Sequence, residues 1–264
     1  MKSKLSIALI FVLVSSLLAL GDGEVKLPKK KNFHLFLLAG QSNMAGRGTV
    51  EEQDLVVHPR VFALDKEGNW KPAVAPMHFD KSVAGVGLGK SFAVALAERD
   101  ESVFIGLIPV AHGGSPIESW EVGGYHEQTN GHPYDDAVKR ARKAKKDGVL
   151  KGILWHQGES DSRPERAKAY KLKLDDLIKR FRKDLRVRKV PFAIGQLGQF
   201  PEKPWDESRT LVDTAHRQVA HESPLVEFVS SDGLICKSDN THFTSQSLRE
   251  FGRRFAEAYL KIAK

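Results

Sequence analysis

Cysteine is almost missing from this chain: Cys236 is the only one in 264 residues. No internal disulfide and no cysteine-based zinc cluster can form, so the fold has to hold by its core. Beyond residue 20 no apolar run is long enough to span a bilayer. Aromatic residues reach only 8%, and the basic stretches KRARKAKKDG (139 to 148) and KRFRKDLRVRK (179 to 189) hold a single one, Phe181, with no interleaved pattern. Those stretches read as solvated helix faces, and a nucleic-acid partner is not expected. Internal repeats and low-complexity tracts are also lacking.

What is present begins with MKSKLSIALIFVLVSSLLALGDGEV: Lys2 and Lys4, an apolar run from Leu5 to Leu20, then small residues. That order reads as a secretory signal peptide over residues 1–21, cleaved after Gly21, and predicts export to a periplasm or the cell exterior. An uncleaved membrane anchor is the competing reading, and cleavage leaves no stable membrane association. Residues 22–32 form a basic leader, and residues 33–264, with the chain's 41% apolar content, suffice for one domain. The formal charge of +8 becomes +6 once Lys2 and Lys4 are removed, a mild bias toward polyanions.

Short continuous apolar runs recur at 33–39, 61–65, 103–110, 149–155, 190–197 and 226–230. Runs of this kind suit strands buried on both faces. Helix-like segments lie between and after them, at 87–100, 135–148, 164–186 and 207–222, with a last one after Thr244 or Ser245. In the long third segment Tyr170, Leu174, Leu177, Ile178, Phe181 and Leu185 keep the spacing of one apolar face; Leu248, Phe251, Phe255, Tyr259 and Ile262 do so in the last. Alternation of this sort predicts an α/β fold, a three-layer α/β/α sandwich around a mostly parallel sheet. The longer irregular stretches, 65–86 and 111–133, are candidate active-site loops.

Four stretches could carry chemistry. GQSNMAG ends the first strand in a turn that presents Ser42, a position where ligands collect in open α/β sheets. The turn lacks G-x-S-x-G and GK[ST], so neither the usual nucleophile elbow nor a phosphate cradle is supported, and alone it does not separate a nucleophile from a turn serine. IPVAHGGSPIESW places Gly113 and Gly114 after a strand, where backbone N–H groups can approach a ligand. GILWHQGESD offers Gln157 as an amide donor to an oxyanion, with Glu159 and Asp161 to hold loops; His156, Glu159 and Asp161 match no known metal-ligand spacing, and no metal is assigned. SDGLICKSDNTHFTSQS puts Asp239 three residues before His242, a spacing that lets an acid fix an imidazole for proton transfer. Asp213 and His216 share that spacing but fall inside a helical stretch, whereas Asp239 and His242 fall in the loop between the last strand and the last helix, so the later pair is preferred.

These stretches, in this order, resemble the SGNH hydrolases, more narrowly the carbohydrate-esterase branch that includes sialate O-acetylesterase domains and plant-type acetyl esterases. The carrying residues are GQSNMAGRG (40 to 48), GLG (87 to 89), GGSPIESW (113 to 120), WHQGESD (155 to 161) and DNTH (239 to 242). The resemblance implies a flavodoxin-like sandwich, Ser42 as nucleophile, His242 as general base and acid, and Asp239 as its orienting partner. It implies an oxyanion hole from the Ser42 N–H, the Gly114 N–H and the Gln157 side chain. Gln41, Asn43, His112, Glu159 and Asp161 are candidates for contacting substrate or supporting the site; His112 departs from the small or apolar residue expected before the glycine pair. The implied activity is hydrolysis of acetyl esters on sugars, with an acetylated carbohydrate as partner and no cofactor. The alternatives are a binding module that stacks sugars on Trp70, Trp120, Trp155 or Trp205, and a short-chain lipase or thioesterase, which the polar, glycine-rich loops 79–87 and 122–136 disfavour.

Overall fold

The computed structural model describes residues 26–263, so the signal-peptide reading and the first part of the basic leader lie outside the described residues. Seven strands form one sheet in the order β3-β2-β4-β1-β5-β6-β7. They are β1 (Phe33–Gly40), β2 (Val61–Leu64), β3 (Trp70–Pro72), β4 (Phe104–Ala111), β5 (Val149–His156), β6 (Phe192–Gly195) and β7 (Val226–Val229). All neighbours are parallel except β2 and β3. The six predicted strands are therefore present. The sequence reading left β3 inside an irregular stretch, because three residues ending in Pro72 on a sheet edge leave too short a pattern to read.

Central β1 shows why its FLLA run is oily throughout. Leu35, Leu37 and Ala39 face one core, Phe36 and Leu38 the other, as the two-residue period of a strand requires. The first core is covered by α4 (Pro133–Ala144), α6 (Tyr170–Asp184) and α7 (Glu207–Glu222), which contribute Tyr134, Leu174, Phe181 and Val212. The second is covered by α3 (Gly89–Arg99) and α8 (Ser245–Ile262) through Phe92, Leu248, Phe251 and Phe255. This is the expected three-layer sandwich. Two single turns near the sheet's upper edge are α1 (Ser42–Ala45) and α2 (Glu52–Leu55).

One predicted helix is broken. The stretch 164–186 divides into α5 (Pro164–Ala167) and α6, with Lys168 and Ala169 between them. Tyr170 opens α6 on its apolar face, as the stripe predicts, and its buried hydroxyl donates to Gln157 Oε1 at 2.8 Å and meets His216 Nε2 at 2.9 Å. α8 opens as expected, with the Thr244 side chain accepting from the Ser247 N–H.

Candidate active site

The carboxyl ends of β1, β4 and β5 lie side by side, and the loops leaving them build the site. At the end of β1, Gly40 has φ +141, and a Cβ there would lie 2.1 Å from the His156 carbonyl oxygen. Only glycine lets β1 approach β5 this closely before the chain turns. The Gln41 N–H then donates to His156 O at 2.9 Å, and Ser42 starts α1.

Ser42 meets His242 although 200 residues separate them: Oγ lies 2.9 Å from Nε2. His242 Nδ1 lies 2.8 Å from Asp239 Oδ2. The other Asp239 oxygen accepts the backbone N–H groups of His242 and Thr241 at 2.8 and 2.9 Å. Burial pushes the Asp239 carboxyl up, but these hydrogen bonds outweigh it and hold the group below the usual range. It is therefore ionised at neutral pH, and the Nδ1 proton lies toward it. That leaves Nε2 as an acceptor facing the serine hydroxyl.

Asn43 holds the histidine loop in register. Its Nδ2 donates to Glu159 Oε1 at 2.6 Å and to Thr241 O at 3.1 Å, and its Oδ1 accepts from Phe243 N at 3.2 Å. Asn43 is wholly buried. Asn43 and Glu159 thus support the site rather than line it.

The Gly114 turn is gripped from both sides. Asp80 Oδ2 accepts from Gly113 N at 2.8 Å and pairs with Arg47 at 3.1 Å. Ser160 Oγ donates to Gly114 O at 2.8 Å, Gln157 Nε2 to Ser115 O at 3.0 Å, and Ile117 N to Asp161 Oδ2 at 2.9 Å. Gly114 has φ +87, which glycine adopts without strain. Among the described residues no protein acceptor meets the N–H of Ser42 or of Gly114. Both N–H groups therefore remain without a protein acceptor.

Gln157 corrects the sequence expectation. Its Nε2 donates to Ser115 O and to Asp161 Oδ2, its Oε1 accepts from Tyr170, and the residue is wholly buried. Both amide protons are engaged, so this side chain braces the Gly114 turn and does not face an oxyanion. His112 likewise turns aside: Nδ1 meets Thr129 Oγ1 at 2.8 Å, the ring abuts Trp120, and burial lowers its pKa to about 4. The rival pair belongs to the interior of α7. His216 is bound to Tyr170, with its pKa lowered by burial to about 3, and Asp213 pairs with Arg217 at 2.8 Å. His156, Glu159 and Asp161 are each directed to a different partner, namely Gln196 O, Asn43 and Gln157.

Asp80, Arg47 and Ser160 escaped the sequence reading, and Tyr170 was read only as part of an apolar face. Arg47 and Ser160 lie within the quoted motifs, but Asp80 sits in an irregular loop whose approach to Gly113 leaves no local pattern. The two loops read as substrate-facing do meet at the site: Lys81 donates to Gln128 Oε1 at 2.8 Å, and that oxygen lies 2.8 Å from where a Gly114 Cβ would stand. Trp70, Trp120 and Trp155 are buried and offer no stacking face. The Trp205 indole N–H donates to Gly198 O.

Asp161 gives this brace a pH signature. Burial raises its carboxyl to about 6 from an ordinary 3.8, only partly offset by the bonds from Gln157 and Ile117. The unfolded chain ionises first, so stability falls as pH rises from about 4 to about 6 and levels off above, a loss of about 3 kcal/mol. Asp161→Asn keeps an oxygen for both donors and removes the charge. Its Tm advantage over the parent should grow by roughly 5–10 °C between pH 4 and pH 7. Thermal scans across that range that run parallel for the two proteins would contradict this account.

Comparison with known proteins gives a consistent picture. Residues 32–261 match the family model described as carbohydrate esterase, sialic acid-specific acetylesterase. A probable carbohydrate esterase of Arabidopsis thaliana is 34% identical over 261 residues, covering 90% of this chain and 94% of that protein. The X-ray structure of an Arabidopsis thaliana protein superposes with a TM-score of 0.77 at 32% identity, covering 89% of this chain and all of the other. A carbohydrate acetylesterase from Xanthomonas citri shares the fold, with a TM-score of 0.68 at 21% identity over 87% of this chain and 56% of its own.

Proposed function

Since the chain belongs to the carbohydrate esterases of the sialic acid-specific acetylesterase family, we propose that it is an exported enzyme that removes acetyl groups from sugar hydroxyls through a Ser-His-Asp acyl-enzyme mechanism. The observation that carries this reading is the unbroken relay from Asp239 through His242 to Ser42, with contacts of 2.8 and 2.9 Å.

Ser42 Oγ attacks the acetyl carbonyl while His242 Nε2 takes its proton, and Asp239 stabilises the imidazolium. Negative charge gathers on the former carbonyl oxygen, which the Ser42 and Gly114 N–H groups receive. Collapse of this intermediate expels the sugar oxygen, which leaves with the His242 proton. Water then attacks the acetyl-serine by the same route, and acetate departs. Each step uses side chains and backbone of this chain.

The polar loops around Gly114, with Lys81 and Gln128 at their meeting point, suit sugar hydroxyls better than a long acyl tail. The exported setting rests on the order of charge, apolar run and small residues in 1–21. The test is acetate release by the secreted protein from acetylated xylan, acetylated pectin and O-acetylated sialic acid, with mass spectrometry of its amino terminus. Release from at least one substrate by a chain starting at Asp22 is expected. No release from any of them would reject the acetylesterase reading, and a chain retaining Met1 would reject the processing.

A further inference from the structure

Residues 179–189 hold seven cations and a single acid, Asp184. The fold gathers these cations with basic residues from other segments at one end of the molecule. We propose that this end is a second binding surface, separate from the reacting centre, whose partner is an acidic polysaccharide: a chain of uronic acid sugars held through its carboxylates.

α6 fixes where the surface lies. Its first residue, Tyr170, bonds Gln157 beside the site, and its last turn lies about 20 Å away by the rise of a 15-residue helix. There Arg182 donates to Val190 O and Leu225 O, just before β6 and β7 begin. Lys179, Arg182, Lys183, Arg186, Arg188 and Lys189 line one groove, and no other described residue lines it. Lys145 adjoins them: its ammonium donates to Leu185 O, and burial together with the nearby charges of Lys30, Arg186 and Arg142 lowers its pKa. Cations from the leader, the end of α4 and the stretch around the end of α6 thus converge.

Pairing is what this surface lacks. Among the described residues Lys179, Lys183, Arg186, Arg188 and Lys189 have no acidic partner, whereas elsewhere on α6 Lys171 pairs with Asp175 and Glu222, Lys173 with Glu121 and Arg180 with Asp176. The Asp184 carboxylate accepts the Tyr134 hydroxyl. Two cations in a last helical turn are accounted for by the macrodipole, but Arg188 and Lys189 lie past the helix and Lys30 belongs to another segment. Repulsion left uncompensated at one end of a protein favours a polyanion that arrives from outside.

A sugar polyacid suits the surface better than an anionic bilayer. Proteins held at bilayers set aromatic or leucine side chains beside their cations, and here Phe181, Leu185 and Val187 pack on the core instead. The chain belongs to the carbohydrate esterases, so polysaccharide is the polyanion its reaction brings near. Attachment at the far end leaves Ser42 free to act on neighbouring acetylated chains at raised local concentration. That last consequence alone rests on the esterase reading.

Polygalacturonate, a polyuronate without acetyl esters, tests the surface independently of catalysis. The parent should bind it in about 50 mM NaCl and lose about tenfold in affinity by about 200 mM. The triple variant Lys183→Gln, Arg188→Gln, Lys189→Gln should bind about tenfold more weakly than the parent, with kcat toward p-nitrophenyl acetate and Tm unchanged. A control triple, Lys171→Gln, Lys173→Gln, Arg253→Gln, removes the same charge from paired positions and should keep the parental affinity within about twofold. Fully methyl-esterified polygalacturonate, which has no carboxylates, should not bind.

Equal affinity of the parent and the first triple overturns the proposal. So does an equal loss in both triples, which would make net charge the cause, or equal binding of the methyl ester. Failure of the parent to bind polygalacturonate while it binds phosphatidylglycerol vesicles, or neither, overturns it as well. A parent that binds polygalacturonate through these residues but cleaves no acetate ester would remove the esterase reading and leave this surface in place.

Discussion

Ser42→Ala should lower kcat toward an aryl acetate on the order of a millionfold and leave Tm within a few degrees of the parent. The hydroxyl has one protein partner, His242 Nε2 at 2.9 Å, and the residue opens a single helical turn that alanine also favours. Little native packing is lost, whereas the atom that forms the acyl bond is gone. What survives is the slow attack of water within the oxyanion hole. Active-site titration alongside steady-state kinetics would separate true residual turnover from contaminating parent enzyme. Turnover by the variant at even a tenth of the parental rate would remove Ser42 as nucleophile. His216→Ala makes the opposite expectation: it opens a cavity beside Tyr170 and destabilises the fold without touching Ser42.

Asp239→Asn should lower kcat by about 10⁴-fold with little change in KM. The physical reason is tautomeric. One Asp239 oxygen accepts two backbone N–H groups, from Thr241 and His242, so asparagine must place its carbonyl there. Its NH₂ then faces His242 Nδ1 and forces that nitrogen to accept. The imidazole proton moves to Nε2, where it points at Ser42 Oγ, and the base can no longer take the serine proton. Because this loss depends on the tautomer, NMR of the ring nitrogens should show protonated Nδ1 in the parent and protonated Nε2 in the variant. An unchanged tautomer with full activity would mean that Asp239 does not orient the histidine.

The sequence pointed to Ser42, Asp239 and His242, which the fold brings together, better than to the structure surrounding them. Local apolar pattern placed Ser42 just after the first buried strand and Asp239 and His242 in the loop between the last strand and the last helix, whereas their roles were implied only by the resemblance of the motifs that hold them. Local pattern also exposed the six principal strands and the apolar stripes of the long helices. It failed at Lys168–Ala169, where a continuous helical pattern hides a break between α5 and α6. The same limit explains Gln157. Its place after β5 marks it as important, but the direction of its amide depends on Ser115, 42 residues away, and on Asp161.

The residues by themselves determined the layered α/β architecture, cores held without disulfides, and which strand ends bear polar groups. Strand burial and helix periodicity are properties of neighbours along the chain. The tertiary structure alone decided which polar groups remain free. Gly114 keeps an unpartnered N–H group while Asp80, Ser160 and Asp161 hold the backbone on either side of it. Gln157 loses its donors to such contacts. Hydrogen-bond satisfaction in a buried loop is settled by groups that arrive from distant segments, and sequence order carries no record of their approach.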